Sequence, residues 1–386
     1  MEVLDRHYTE IVFSELLINS ISYHQPKSIV DLGIGNGSLT VAAYNKWNDA
    51  SFWGCDIDLE RIETTRTNLP FAQISKIDGL DVNSPFPLKV GTIDIAICNP
   101  PYYRVAEKEK YIKLFESVSL PHVDSLPFVT ADLIFLANNL LLLKQGGQLG
   151  IIIPDGLVTS QVFEPVRQAL LNKYTIKSII ELPSNIFKKT EAKTHILIIE
   201  KRTKINSYEV ELLCADKQGI CSHKVLVQSA MLYERMDYTY TNWMVNDRIP
   251  TNKNLRDINA TIIRSNRTTK ELNERNIEFL HSTSYNEGEI LRINSSFDED
   301  NRLIYAVDGD IIVTRVGKRC IGKVCLIEKG RIPISDCLFI IRVSKEYKNL
   351  VFSALISSSG KKWFEIVGHG VCSKVISREN LYSFNF

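Results

Sequence analysis

The 386-residue sequence contains no long apolar run. Its longest apolar stretch, from Leu133 to Leu143, is interrupted by Asn138 and Asn139. It falls short of the ~20 apolar residues that span a bilayer. The start, Met1-Glu2-Val3-Leu4-Asp5, has neither the basic opening nor the apolar segment of a signal peptide, so a cytoplasmic protein is expected. No two of the eight cysteines (55, 98, 214, 221, 320, 325, 337, 372) form a C-x-x-C pair. Most sit in apolar strand-like runs, which predicts reduced core thiols and excludes a disulfide scaffold. Cys214, Cys221 and His223 lack a fourth ligand at zinc spacing, so no metal is expected. Internal repeats and low-complexity tracts are also missing.

What is present is a globular composition, 44% hydrophobic and 24% charged. The length suits two to three domains at about 150 residues each. The net charge of +1 hides a division. Residues 1–200 carry 18 basic and 23 acidic side chains, net −5; residues 241–386 carry 22 and 17, net +5. An acidic front and a basic rear suggest an enzyme module joined to an anion-binding module, although a solvated basic face gives the same count.

Strand-like runs recur at 28–32, 51–55, 72–77, 93–98, 148–153, 177–182 and 194–200. Helical periodicity lies between them, at 39–47, 59–68, 131–143 and 161–173, and precedes them at 7–24. This alternation predicts an α/β fold with a mixed seven-stranded, Rossmann-like sheet covered on both faces. Residues 103–130 are polar and carry Pro121 and Pro127. They read as a long loop with one helix near 109–118, the kind of segment that is functional or mobile. After Lys201 the alternation stops. From Asp308 onward short strands follow one another across tight turns. Two domains are expected, 1–205 and 206–386, the second a smaller mixed α/β domain.

Two motifs carry chemistry. Asp31-Leu32-Gly33-Ile34-Gly35-Asn36-Gly37 follows the first strand and precedes a helix. Its glycines let the backbone turn sharply and approach a ligand. Asp56, at the end of the next strand, is placed to accept from both hydroxyls of a ribose. The spacing is G-x-G-x-G rather than G-x-G-x-x-G, with a carboxylate two residues before the first glycine. That suits a cationic, phosphate-free nucleoside such as S-adenosylmethionine better than a dinucleotide, with a nucleotide or a purely structural loop as the alternatives.

The second motif, Asn99-Pro100-Pro101-Tyr102, ends the fourth strand. Two prolines stiffen the turn and remove two donors. The Asn99 side-chain oxygen and the Pro100 carbonyl can then accept the two N–H bonds of an exocyclic amine. That draws the nitrogen toward tetrahedral geometry and frees its lone pair, while Tyr102 can stack on the base.

With both motifs in place, the chain resembles the gamma-class N6-adenine DNA methyltransferases of restriction–modification systems. The resemblance covers nearly the whole chain and implies S-adenosylmethionine as cofactor and duplex DNA as partner. In Arg6-His7-Tyr8-Thr9 it makes Tyr8 and Thr9 donor contacts, although Glu10 stands where the family usually has proline. It assigns Asp31, Gly33, Gly35 and Gly37 to the donor loop, Asp56 to the ribose and Asp78 to the donor's adenine. Asn99, Pro100, Pro101 and Tyr102 become the catalytic tetrapeptide, and Phe187 the aromatic facing Tyr102 across a flipped base. Leu140–Pro154 resembles the helix, turn and strand that follow the catalytic loop.

The rear also resembles the target-recognition domains of type I specificity subunits, through Gly309-Asp310-Ile311-Ile312-Val313-Thr314-Arg315, Ile321-Gly322-Lys323-Val324 and Gly368-His369-Gly370-Val371. Arg315, Lys318, Arg319 and Lys323 cluster beside glycine turns and are candidate DNA contacts. No fused nuclease pattern is present, so any restriction endonuclease is expected on another chain. The rival readings are an amine or amide methyltransferase acting on RNA or protein glutamine, and a non-catalytic DNA specificity module.

Overall fold

The computed structural model describes residues 10–81, 88–184, 193–202, 207–247, 253–294, 302–317, 320–370 and 373–386. The chain divides into two compact units, Met1–Asn242 and Trp243–Phe386. Among the described residues no helix is long and apolar enough to cross a membrane. No described cluster of His, Cys, Asp and Glu has the makings of a metal site.

The first unit is built on one mixed sheet. Its strands are β1 (Ser28–Leu32), β2 (Ser51–Asp56), β3 (Ala72–Lys76), β4 (Ile93–Cys98), β5 (Leu143–Pro154), β6 (Thr175–Glu181), β7 (Thr194–Glu200), β8 (Glu209–Cys214) and β9 (Val225–Gln228). Their spatial order is β3-β2-β1-β4-β5-β7-β6-β8-β9. β1 to β5 run parallel, and β7 lies antiparallel between β5 and β6. The expected seven strands are all there, but the sheet has nine. β8 pairs parallel with β6, and β9 pairs antiparallel with β8. The boundary expected after residue 205 therefore moves to Asn242, because residues 209–228 complete the first sheet rather than open a second domain.

The helices are α1 (Ile11–Ser20), α2 (Ser38–Lys46), α3 (Leu59–Asn68), α4 (Ile112–Ser117), α5 (Ala131–Leu142), α6 (Asp155–Thr159) and α7 (Glu164–Lys173). The central strands bury both faces, which is why they read as continuous apolar runs. Ile95, Ile97, Ile152, Ile180 and Ile198 pack into one core with α1 and α2. Ala96, Cys98, Ile151, Ile153, Ile179 and Leu197 point the other way, into a larger core with α5 and α7. Where α5 runs straight into β5, the ammonium of Lys201 donates to the carbonyls of Leu140 and Leu143 at 2.6 and 2.7 Å. A cation at a helix C-terminus is favourable.

Residues 103–130 are not a loose loop. Tyr111, Leu114, Phe115, Val118, Leu120, Val123, Leu126 and Val129 are all buried in the larger core. Their spacing follows neither a helix nor a strand period over the whole segment, so periodicity does not reveal them.

The second unit holds a five-stranded sheet with Thr261–Arg264, Leu338–Arg342, Ile311–Thr314, Val324–Lys329 and Glu289–Arg292 in that order. Helices Lys345–Ile356 and Ser358–Val367 follow it in the chain. Arg342 grips the buried Asp310 through two 2.7 Å hydrogen bonds. The described cysteines of both units are free thiols.

Candidate active site

The chain crosses from β3 back over β1 to β4, so the strand order reverses beside β1. Ligands of open α/β sheets bind in the crevice at such a reversal, outside the carboxyl ends of the strands. Both sequence motifs leave the sheet there. They share a cavity of about 190 Å³ whose wall includes Asp31, Gly33, Gly35, Asp56, Asp78, Asn99, Pro100 and Pro101.

The glycine loop is drawn over the end of β2 by the N–H groups of Gly33 and Ile34, which donate to the Cys55 carbonyl at 3.0 and 2.8 Å. Gly33, Gly35 and Gly37 have φ of 76°, 56° and 81°, a region open to glycine at little cost. Gly37 does not face the cavity; a Cβ there would stand 2.5 Å from Leu69, so its role is packing at the start of α2.

Asp31 is 2% exposed. One carboxylate oxygen accepts from the Thr40 hydroxyl at 2.7 Å. The other is buried without a hydrogen-bond partner. Burial, opposed by the Thr40 bond and reinforced by Asp56, pushes its pKa up to about 7. Asp56 accepts from the N–H groups of Gly35 and Asp58, both at 3.0 Å, and pairs with Arg61 at 3.5 Å. Asp78 is turned by the Leu80 N–H, which donates to it at 2.9 Å. The same segment is tied to α5, where the Asn138 amide donates to the Gly79 carbonyl at 2.9 Å.

Phe135, Arg61 and Tyr103 are among the wall residues that the sequence reading did not assign. The Phe135 ring fills the space that side chains at 33 and 79 would need. A Cβ on Gly33 would lie 3.2 Å from it, and one on Gly79 only 2.4 Å. In sequence Phe135 is one apolar residue in an apolar helix, and nothing marks it out.

Tyr102 is not part of the cavity wall. Its hydroxyl donates toward the Asn99 side-chain oxygen at 3.0 Å and the Ile152 carbonyl at 3.2 Å, and its ring packs on the α1 side of the core. It is Tyr103, 39% exposed, that lines the cavity. Burial, then the nearby Asp132 and Cys98, hold the Tyr102 phenol well above its ordinary value. Asp132 is itself buried and its pKa is raised to about 6.

Residues 5–258, more than half of the chain, match the N-6 DNA Methylase family. The chain belongs to that family. It is similar to the type I restriction enzyme MpnII methylase subunit of Mycoplasma pneumoniae, 26% identical over 192 residues, covering 45% of this chain and 35% of that protein. It is also similar to the release factor glutamine methyltransferase of Dictyoglomus turgidum, 29% identical over 103 residues, covering 26% of this chain and 36% of that one. The shared stretch thus spans about a third of each of these relatives. Among solved structures, the type IIG restriction endonuclease BpuSI aligns with 98% of this chain and 58% of its own at 14% identity, with a TM-score of 0.55, a likeness of fold.

In this family member the remaining expected site residues fall in two groups. Tyr8, Thr9, Phe187, Lys318 and Arg319 lie outside the described residues. Arg315 turns inward: its guanidinium donates to the Asp336 carbonyl at 3.0 Å and sits 5.7 Å from the Phe339 ring centroid. Lys323 donates to the Tyr285 carbonyl at 2.8 Å. Both cations thus brace carbonyls distant in sequence, those of Asp336 and Tyr285. The residues expected to form a donor loop and a catalytic tetrapeptide, Tyr102 and Gly37 excepted, do converge on one cavity.

Proposed function

We propose that this chain is a site-specific adenine methyltransferase acting on duplex DNA. It would move a methyl group from S-adenosylmethionine to N6 of a flipped-out adenine, as the modification component of a restriction–modification system of the gamma class. One observation carries the reading: Asn99, Pro100 and Pro101 form part of the same cavity wall as Asp31, Asp56 and Asp78. A donor held by the three carboxylates meets an acceptor held by the tetrapeptide.

The residues fit the donor. Asp31 presents a buried carboxylate oxygen with no partner, the complement of an ammonium group. Asp56 suits ribose hydroxyls and Asp78 an adenine amino group, while Phe135 supplies an apolar floor. When bound, S-adenosylmethionine supplies a methyl group made electrophilic by a sulfonium.

At the acceptor end, Asn99 and the Pro100 carbonyl take the two N–H bonds of the amine and turn its lone pair toward the donor. Tyr102 holds the Asn99 amide from behind through its hydroxyl. An adenine reaches this loop by leaving the helical stack, at a cost of a few kcal/mol. The resemblance gives Tyr8 and Thr9 to the donor and Phe187 to the flipped base.

The second unit, 243–386, is the proposed target-recognition domain. It carries 22 basic and 17 acidic side chains, net +5. The type I methylase relative supports the restriction–modification setting, with any endonuclease on a separate chain and the reaction in the cytoplasm. The decisive experiment is expression in a methylation-free host, followed by long-read detection of modified adenines. N6-methyladenine at one DNA motif, lost in Asn99→Ala, is expected. Methyl label on protein or RNA with none on DNA would refute the proposal in favour of the glutamine or RNA reading.

A further inference from the structure

Tyr102 and Tyr103 are adjacent, yet their side chains take different surroundings. A short antiparallel contact fixes which side each takes. The Tyr103 carbonyl accepts from the Ala131 N–H at 2.9 Å, Arg104 bridges Thr130, and the Val105 N–H donates to the Val129 carbonyl at 3.0 Å. This ties residues 103–105 to the start of α5. Tyr102 is sent inward to Asn99 and Ile152. Tyr103 is sent onto the wall shared with Ile77, Asp78, Gly79 and Leu80. Burial and then the Asp78 carboxylate raise its phenol above the ordinary value, so the hydroxyl lies within electrostatic reach of Asp78.

We propose that Tyr103 is a donor-binding residue whose ring packs on the adenine of the bound nucleoside. The inference rests on the methyltransferase reading above and extends it to a residue outside the tetrapeptide. The wall around Tyr103 belongs to the end of the cavity where Asp78 receives that adenine. The ring is partly exposed, so covering a nucleobase removes apolar surface from water, and aromatic faces prefer such stacked partners. A phenol also tolerates the wet rim, because its hydroxyl stays hydrated while its ring is covered. The doubled tyrosine thereby divides its work. Tyr102 positions the catalytic amide, and Tyr103 holds the donor.

The test is calorimetric titration of the full chain with S-adenosylhomocysteine, without DNA. Tyr103→Ala should weaken binding about fivefold to tenfold, and Tyr103→Phe should stay within about twofold of the unaltered chain. The side chain is exposed enough that neither change should lower the melting temperature. Unaltered affinity in Tyr103→Ala would overturn the inference; combined with lost methylation, it would assign the ring to the target base. An equal loss in Tyr103→Phe would also overturn it, because the hydroxyl rather than the ring would then be the contact. A wild-type chain that takes up no S-adenosylhomocysteine would sink the methyltransferase reading itself, and the inference with it.

Discussion

Replacing Asp31 with Asn separates the cost of this carboxylate from its use. The group is 2% exposed and its pKa is pushed up to about 7 from an ordinary 3.8. A raised acid favours the protonated form in the folded state. Its stability contribution is intact below the ordinary carboxyl value and is lost as pH rises through about 7. A shift of about three units corresponds to an upper limit of about 4 kcal/mol of destabilisation at pH 8. Asp31→Asn should therefore raise the melting temperature of the empty chain at pH 8 and leave it nearly unchanged at pH 4. Donor binding should respond in the opposite sense. A donor ammonium needs the ionised carboxylate, of which about a tenth is present at pH 6 and about nine-tenths at pH 8. Calorimetry with S-adenosylhomocysteine should give roughly tenfold tighter binding at pH 8 than at pH 6. In Asp31→Asn the affinity should be weak and flat across that range. A flat profile in the wild type, or a wild-type slope retained in the variant, would refute the assignment of the unpartnered oxygen to the donor.

Tyr102→Phe removes the hydroxyl that donates to Asn99, a bond of about 1 kcal/mol. Single-turnover methylation should slow about fivefold while S-adenosylhomocysteine affinity stays constant; a loss in affinity instead would place Tyr102 at the donor. Gly79→Ala sets a Cβ 2.4 Å from the Phe135 ring. Urea unfolding should show a loss of about 1–3 kcal/mol, and donor binding should weaken. In a Phe135→Ala background the same change should cost almost nothing, and a persisting cost would show that Phe135 is not the obstacle. Arg167, fully buried, donates to the carbonyls of Leu157, Ser160, Tyr233 and Glu234. Arg167→Met should destabilise the first unit by more than about 3 kcal/mol in urea unfolding, and a loss under about 1 kcal/mol would show that water replaces the guanidinium freely.

The parts that the residues announce in advance are those under the harshest local constraint. β1, β4 and β7 bury both faces, so apolar residues dominate them, with Asp31 and Asp94 as buried polar interruptions. Gly33, Gly35 and Gly37 and the stiff tetrapeptide announce themselves because few residue types satisfy the backbone there. β8 is harder to see, since Glu209 and Glu211 alternate with buried residues as they would in any edge hairpin, and nothing local says which sheet it joins. Partners distant in sequence also hide Phe135, whose contacts lie at 33 and 79. Arg315 and Lys323 are ambiguous for a related reason. A cation beside a glycine turn looks alike whether it reaches for a phosphate or for the nearest carbonyl. Only the fold shows that the Asp336 and Tyr285 carbonyls were within reach.

The cavity by itself does not select an acceptor class. An asparagine oxygen and a proline-flanked carbonyl grip any planar nitrogen that carries two hydrogens, whether on adenine or on a glutamine amide. The choice must be made by whatever delivers that nitrogen. Charge is distributed accordingly. The unit that holds the cavity has 24 basic and 28 acidic side chains, net −4, and gains nothing by approaching a polyanion. The surplus of +5 is confined to the unit that lacks the tetrapeptide. Arg315 and Lys323 each donate to a backbone carbonyl, so attraction to phosphate is shared with the other cations of that unit. Affinity from such contacts falls steeply with salt, whereas donor binding to a buried carboxylate is screened much less. The two halves of the proposed reaction are therefore separable by ionic strength alone.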